Sequence, residues 1–190
     1  MLHAGFTAHE VEVLGPVGNP VTAQLAIKGD TALIEMAQAS GLSQLPGGIK
    51  DALNATSFGT GQLILAALEH GVTKILLAIG GTATTDAGAG ALQALGAKLL
   101  DASGDEIAPG GAALIHCVSI DTSNLDPRLA GISFTLASDV TNPLLGNNGA
   151  ARVFSPQKGA TPDQVEVLEE SLTHFASLSL IHISEPTRRS

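Results

Sequence analysis

The sequence predicts a layered α/β fold, a sheet with helices on its faces, and three observations carry that prediction. A helix-spaced apolar stripe, a short continuous apolar run and a second helical stretch follow one another across residues 54–97. That helix, strand, turn, helix order is the unit of an α/β layer. Ahead of it, residues 11–37 fall into short β-type runs broken by Gly-Pro, Gly-Asn-Pro and Gly-Asp. Finally, hydrophobic residues make up 44% of the 190-residue chain and charged residues 14%, which excludes a disordered polypeptide and is enough for a real core.

The elements follow in chain order. "VEVLGPVGNPVTAQLAIKGDTALIEMA" reads as a β-hairpin or small meander, its turns marked by glycine, proline and asparagine. Glu35 stands there between apolar neighbours, either as an exposed position on an alternating strand or as a carboxylate facing a cleft. "ASGLSQLPGG" is a loop. In "NATSFGTGQLILAALEHG" a glycine-rich turn leads to a helix from Gln62, with Leu63, Ile64, Ala67 and Leu68 on one face and Gly71 as the stop. "VTKILLAIG" is nearly continuous apolar, as for a strand covered on both faces. The next stretch supplies a turn and a helix with Leu92 and Leu95 as its buried pair. "AKLLDASGDEIAPGGAAL" suggests a hairpin, Ile132 to Ser138 a strand ending at Asp139, and "VTNPLLGNNGAARVFSPQKGA" a long loop of the kind that carries function. The last helix is the clearest: Thr161 caps, Pro162 suits the first turn, Gln164 completes a capping box, and Val165, Leu168, Leu172 and Phe175 make one stripe.

Composition narrows the function. A net charge of −9 argues against a nucleic-acid binder. The single cysteine, Cys117, excludes an internal disulfide and reads as a core residue in an apolar run. With no apolar run of membrane-spanning length and no secretory pattern, the expectation is a cytoplasmic protein without a membrane partner. The six histidines show no metal-ligand spacing, and neither G-x-x-x-x-G-K-[ST] nor G-x-S-x-G occurs.

Two glycine-rich turns each lead into a helix: one contains Gly59, Thr60 and Gly61, the other Gly80, Gly81, Thr82, Thr85 and Asp86. Unpaired N–H groups at a helix start attract a carboxylate or phosphate, and glycine lets the backbone come close. Turns of this composition also serve to change chain direction. Asp86 can cap its helix or bind a substrate hydroxyl. Asp139 falls at the carboxyl end of a strand, the edge where open α/β sheets bind ligands. The loop after it brings Asn142, Asn147, Asn148, Arg152 and Lys158, a set suited to a metal–phosphate group or to a self-bracing loop.

Taken together, "ALIEMAQASGL", "ATSFGTGQLILAALEHG", "ILLAIGGTATTDAGAGALQALGAKLLDASG", "LDPRL" and "ASDVTNPLLGNNGAARVFSPQKGAT" resemble the bacterial glycerate kinases of the two-domain α/β type, from Val13 to Ala176. The D-V-T-N-P-L and F-x-P-Q-K-G runs are the most specific part of the likeness. The resemblance implies ATP-dependent phosphorylation of glycerate, to 2-phosphoglycerate, with Mg²⁺. It implies Asp139 and Lys158 as metal or charge partners near the transferred phosphoryl group, with Asp139 the metal ligand. Gly80, Gly81, Thr82, Thr85, Asn142 and the Gly59–Thr60–Gly61 turn would position the substrate, and Asp86 or Asp139 would be the base. Thr82, Thr85 and Ala87 stand where the family often has Ser, Asn and Gly, and Ser155 replaces a usual Gly.

The family's "PDSFKGS"-like and "TGEGR"-like motifs do not occur here. The expectation is therefore a middle portion, inactive alone because phosphoryl transfer needs both sides of the cleft. Residues 1–48 are assigned to a β-rich segment at the edge of an otherwise missing nucleotide-fold domain, and 49–178 to the α/β kinase domain. The stretch 179–190, "SLIHISEPTRRS", is assigned to a non-native tail resembling adapter read-through. The competing expectation is a non-catalytic domain that holds a small carboxylate.

Overall fold

The computed structural model describes residues 5–184. Of the proposed tail 179–190, the backbone of 179–184 is helical, and 185–190 lie outside the described residues. Strands β1 (Thr7–Leu14), β2 (Pro20–Lys28) and β3 (Thr31–Glu35) form the expected meander. Its turns fall at the glycine-rich breaks, and Glu35 ends β3 half-buried. A short helix α1 (Ala37–Ser40) and the helix α2 (Phe58–Glu69) lead to β4 (Lys74–Ala78). Helix α3 (Ala89–Ala94) follows, then β5 (Lys98–Leu100), β6 (Ser119–Asp121), β7 (Ser133–Ala137), α4 (Ala150–Phe154) and α5 (Pro162–Ser184). None of the described helices is long and apolar enough to cross a membrane.

The main sheet has five strands in the order β1-β2-β3-β4-β7. The first two pairings are antiparallel and the last two parallel, with Glu35 opposite Ala78 and Ala78 opposite Ala137. In consequence β3, β4 and β7 end at one edge, and the loops leaving them are neighbours. Helices α1 and α2 pack on this sheet around Leu25, Ile34, Leu63 and Ile75. A second core gathers Leu99, Leu114, Cys117, Leu168, Leu172 and Phe175 under α5. All four stripe residues of α5 are buried, and the capping box forms reciprocally. The Thr161 N–H donates to Gln164 Oε1 at 2.9 Å, and the Gln164 N–H donates to Thr161 Oγ1 at 3.3 Å.

Several local expectations are corrected. β4 is not covered on both faces: Ile75 is buried, but Leu76, Leu77 and Ala78 are half-buried, because the neighbouring β7 is exposed along its whole length. Leu95 is buried while Leu92 is not: α3 ends at Ala94, so Leu95 is its C-cap residue rather than the next position on the face of Leu92. The hairpin expected over 97–114 is reduced to a single bridge, Leu100 to Glu106, and the ladder partner of β5 is the later strand β6. The long loop after Asp139 contains α4 and a 3₁₀ turn at Pro156–Lys158.

The helix expected from Gln62 starts at Phe58, so Gly59, Thr60 and Gly61 form its first turn rather than a loop. Close approach explains the glycines. A Cβ on Gly59 would lie 1.9 Å from the Leu14 carbonyl oxygen, and one on Gly61 would lie 2.5 Å from that of Ala91. In Gly59→Ala the gain in helix propensity, about 1 kcal/mol, opposes the cost of forcing two backbones apart, about 1–3 kcal/mol for overpacking. A carbonyl oxygen cannot rotate away, so the clash wins. Thermal melts are expected to show Gly59→Ala destabilised, whereas Gly131→Ala, with open space at its Cβ, melts with the parent.

Candidate functional site

The site begins where β4 runs out. The Gly81 backbone takes φ 72°, a region that a Cβ disfavours. The turn is then stitched to the segment after β3: the Leu42 N–H donates to Gly81 O at 3.1 Å and the Ala83 N–H to Ser40 O at 2.8 Å, on either side of a Gly41–Thr82 bridge. These bonds fix the turn from below and leave its outer side to a cleft. Ala87 carries a positive φ of 50° without being glycine, a left-handed conformation that costs roughly 1 kcal/mol. It sits where the resemblance leads one to expect Gly, so the strain is local to this wall.

Asp86 is buried, at 2% exposure, yet lines the cleft. Its Oδ2 accepts from the Ser57 N–H and the Ser57 Oγ–H, both at 2.8 Å, and from the Gly90 N–H at 3.3 Å. Its Oδ1 accepts from the Gly88 N–H at 3.2 Å. The Ala89 N–H donates to Asp86 O at 2.9 Å and the Ala91 N–H to Ser57 Oγ at 3.0 Å. The donors at the start of α3 are thus already taken by the protein. The expectation that they bind an external anion is corrected, because a buried aspartate and serine reach them first. The start of α2 is also closed. Its Phe58 N–H donates to Thr56 Oγ1 at 3.2 Å, its glycines press on neighbouring backbone, and Thr60 Oγ1 pairs with Ser40 Oγ at 2.9 Å.

Opposite the turn lies the segment that leaves β7. The cleft between them has a volume of about 770 Å³. Gly80, Gly81, Thr82, Thr85 and Asp86 line one wall, with Asp139, Asn142 and Lys158 on the other. Gly59, Thr60 and Gly61 are absent from that lining. Asn142 does not point a free amide at the cleft, since its Nδ2 donates to Asn148 O at 2.9 Å. Asp139 is exposed.

Lys158 is 8% exposed, and its Nζ donates to the Thr84 carbonyl oxygen. Burial pulls its amine down from 10.5 to about 8, against the opposing pull of the Asp86 charge. Helix α5 braces this wall from behind. Glu169 Oε1 accepts from the Gly146 N–H at 2.6 Å, and Arg152 donates to both oxygens of Glu166, at 2.5 and 2.8 Å. Reading the sequence singled out neither Ser57 nor Glu169. The Thr-Ser pair ahead of Phe58 was a readable cap, but a helix start placed at Gln62 hid it.

No group of three or more metal-capable side chains occurs among the described residues. Mg²⁺ needs less, since it uses one or two carboxylates and takes its remaining ligands from water and substrate phosphates. One exposed carboxylate at the carboxyl end of β7, on the same cleft wall as a buried lysine, fits that mode.

Comparison with known proteins agrees with this architecture. The model of the glycerate kinase family matches residues 1–187. The chain is 54% identical over 168 residues to glycerate 2-kinase of Escherichia coli (strain K12), covering 87% of this chain and 44% of that protein. Against the glycerate kinase of Bacillus subtilis (strain 168) the identity is 51%, over 90% of this chain and 45% of the relative. A crystal structure described as that of a "putative glycerate kinase 2" from Salmonella typhimurium LT2 superposes with a TM-score of 0.90 at 51% identity, over 94% of this chain and 48% of that one. The chain thus spans a little under half the length of these relatives. With a family model matching almost from end to end and about half its residues shared with such proteins, the chain belongs to the glycerate kinase family.

Proposed function

We propose that the cleft binds glycerate and the phosphoryl group delivered to it from ATP, the product being 2-phosphoglycerate. The observation that carries this reading is the placement of a buried lysine amine and a buried carboxylate on one cleft with an exposed aspartate. Lys158 supplies the cation for an anionic group. The turn Gly80–Thr85 presents small side chains and backbone close to the ligand. Asp86 Oδ1 lies at the substrate hydroxyl and takes its proton as the hydroxyl oxygen attacks the γ-phosphorus. The bond from that phosphorus to the β-phosphate bridging oxygen breaks, and ADP leaves with the electron pair. Asp139 would hold Mg²⁺, which would supply charge neutralisation on the phosphates.

The relatives are about twice as long as this chain, and in-line transfer depends on positioning from both sides of a cleft. By itself, then, the 190-residue chain binds glycerate without appreciable turnover of ATP. Calorimetry tests the reading with glycerate and Mg·ATP added separately. Glycerate binding is expected; a chain that binds neither refutes the assignment of the cleft, and glycerate binding without nucleotide favours a simple carboxylate-binding domain.

Lys158→Met is expected to weaken glycerate binding about ten- to a hundredfold, the worth of one charge-assisted hydrogen bond. Asp139→Asn should leave glycerate affinity in place and abolish the effect of Mg²⁺ on nucleotide binding. The charge of Lys158 also sets a pH dependence. Below about pH 8 the folded amine is protonated, and glycerate affinity is highest there; it declines as the pH rises through that value.

Stability moves the other way. Between about 8 and 10.5 the unfolded chain holds a proton that the folded chain has lost, so stability rises with pH across this window. The full rise is on the order of 3 kcal/mol. Burial pushes the Cys117 thiol up, which works in the opposite direction but equally in both proteins. The difference in denaturant midpoint between the parent and Lys158→Met across this pH range therefore reports Lys158 alone.

A further inference from the structure

We infer that Ser57 is a positioning residue of the cleft: its amide and hydroxyl saturate one oxygen of Asp86, Oδ2, and leave Oδ1 as the oxygen that meets a ligand. The inference deepens the reading of this cleft as the glycerate site and rests on it for the identity of the ligand.

Lone pairs make the argument. A carboxylate offers about four acceptor sites over its two oxygens. Oδ2 of Asp86 accepts three hydrogen bonds, two of them from Ser57 at 2.8 Å, whereas Oδ1 accepts a single one, from Gly88 at 3.2 Å. Ser57 has no freedom to do otherwise. Its Oγ accepts from the Ala91 N–H at 3.0 Å, so its single proton is left for Asp86. The residue is fully buried, at 0% exposure, and cannot touch a ligand itself. Its backbone is pinned as well: a Cβ on Gly90 would lie 2.1 Å from Thr56 Oγ1 and 3.0 Å from the Ser57 nitrogen. The segment before α2 is thus pressed against α3, with Asp86 between them.

The consequence reaches Lys158. The charge bearing on its amine is that of Asp86. Donors on a carboxylate disperse its negative charge, so Ser57 tempers the pull that Asp86 exerts on the lysine. Removing the hydroxyl leaves more charge on Asp86 and favours the protonated amine.

The test uses the full chain as the parent, Ser57→Ala, and Ser171→Ala as the control. Ser171 is equally buried and donates to Ala112 O at 3.2 Å, so its loss also removes one buried serine hydrogen bond. Lysine side chains carrying ¹³C are titrated by NMR from neutral to strongly alkaline pH, with the Lys158 signal assigned by its disappearance in Lys158→Met. Ser57→Ala is expected to raise the Lys158 midpoint by about half a pH unit, while Ser171→Ala leaves it in place. Glycerate affinity is expected to drop about tenfold in Ser57→Ala alone, the worth of one hydrogen bond.

A Ser57→Ala midpoint that coincides with the parent's, in a protein destabilised no differently from Ser171→Ala, overturns the inference. Should Ser57→Ala not fold, Ser57→Cys keeps the bulk with a weak donor and carries the same two outcomes. The titration needs no ligand, so a parent that fails to bind glycerate sinks the functional reading while the role of Ser57 is still judged by the midpoint.

Discussion

The arrangement of this protein depends on one buried carboxylate. Asp86 ties the approach to α2, through Ser57 29 residues away, to the turn after β4 and the first turn of α3 on either side of it. An aspartate at 2% exposure would be costly without partners, because an unpaired charge in a dry interior loses its hydration. Four donors make it tolerable and at the same time fix its direction. The cleft wall from Gly80 to Gly88 is therefore rigid for the same reason that it is charged. A loop held only by its own turns would not keep a carboxylate oriented.

The second wall is built on a different plan. Lys158 sits in a 3₁₀ turn between α4 and α5, and its ammonium reaches across to the carbonyl of Thr84. A lysine buried to this degree holds its proton less tightly, and the nearby aspartate only partly restores it. The two walls are thus linked by one hydrogen bond and one unlike-charge pair. The first wall packs through Ala83 against Leu45 and Ala55, and the start of α3 that follows it joins, through Ala89, the core under α5 that contains Leu168 and Leu172.

Much of this was legible in the amino-acid order. The meander, the α5 stripe and its capping box are local patterns whose physics is local, and they appear where the spacing puts them. Composition by itself left the turn after β4 and the run after β7 open between a binding role and an ordinary turn; it was the likeness to a family that pointed to Gly80, Gly81, Thr82, Thr85, Asp86, Asp139 and Lys158. What could not be read is what happens between distant segments. Gly59 and Gly61 looked like a ligand-binding turn, and only the approach of Leu14 and Ala91 shows that they are there to let backbones touch. Leu92 and Leu95 stand at helical spacing, but α3 ends at Ala94, and where a short helix stops is set by the segments it meets. Ser57 escaped notice because its partner lies 29 residues away. The β5 partner was misjudged for the same reason: strand pairing over a long separation leaves no trace in either strand alone.

The two margins of the main sheet are not alike. On β1 the outward residues include Glu10 and Glu12, which bond to Gln24 and Thr22 of the neighbouring strand. Charges along a margin discourage a foreign strand from joining. β7, with the sequence Ser-Phe-Thr-Leu-Ala, is the last strand on the other side and has no charge, proline or glycine; Phe134 and Leu136 stand 44% and 62% exposed. The sheet is consequently polarised: it is sealed against growth at its first strand and open to lengthening at its last, on the same side of the molecule from which the cleft loop departs.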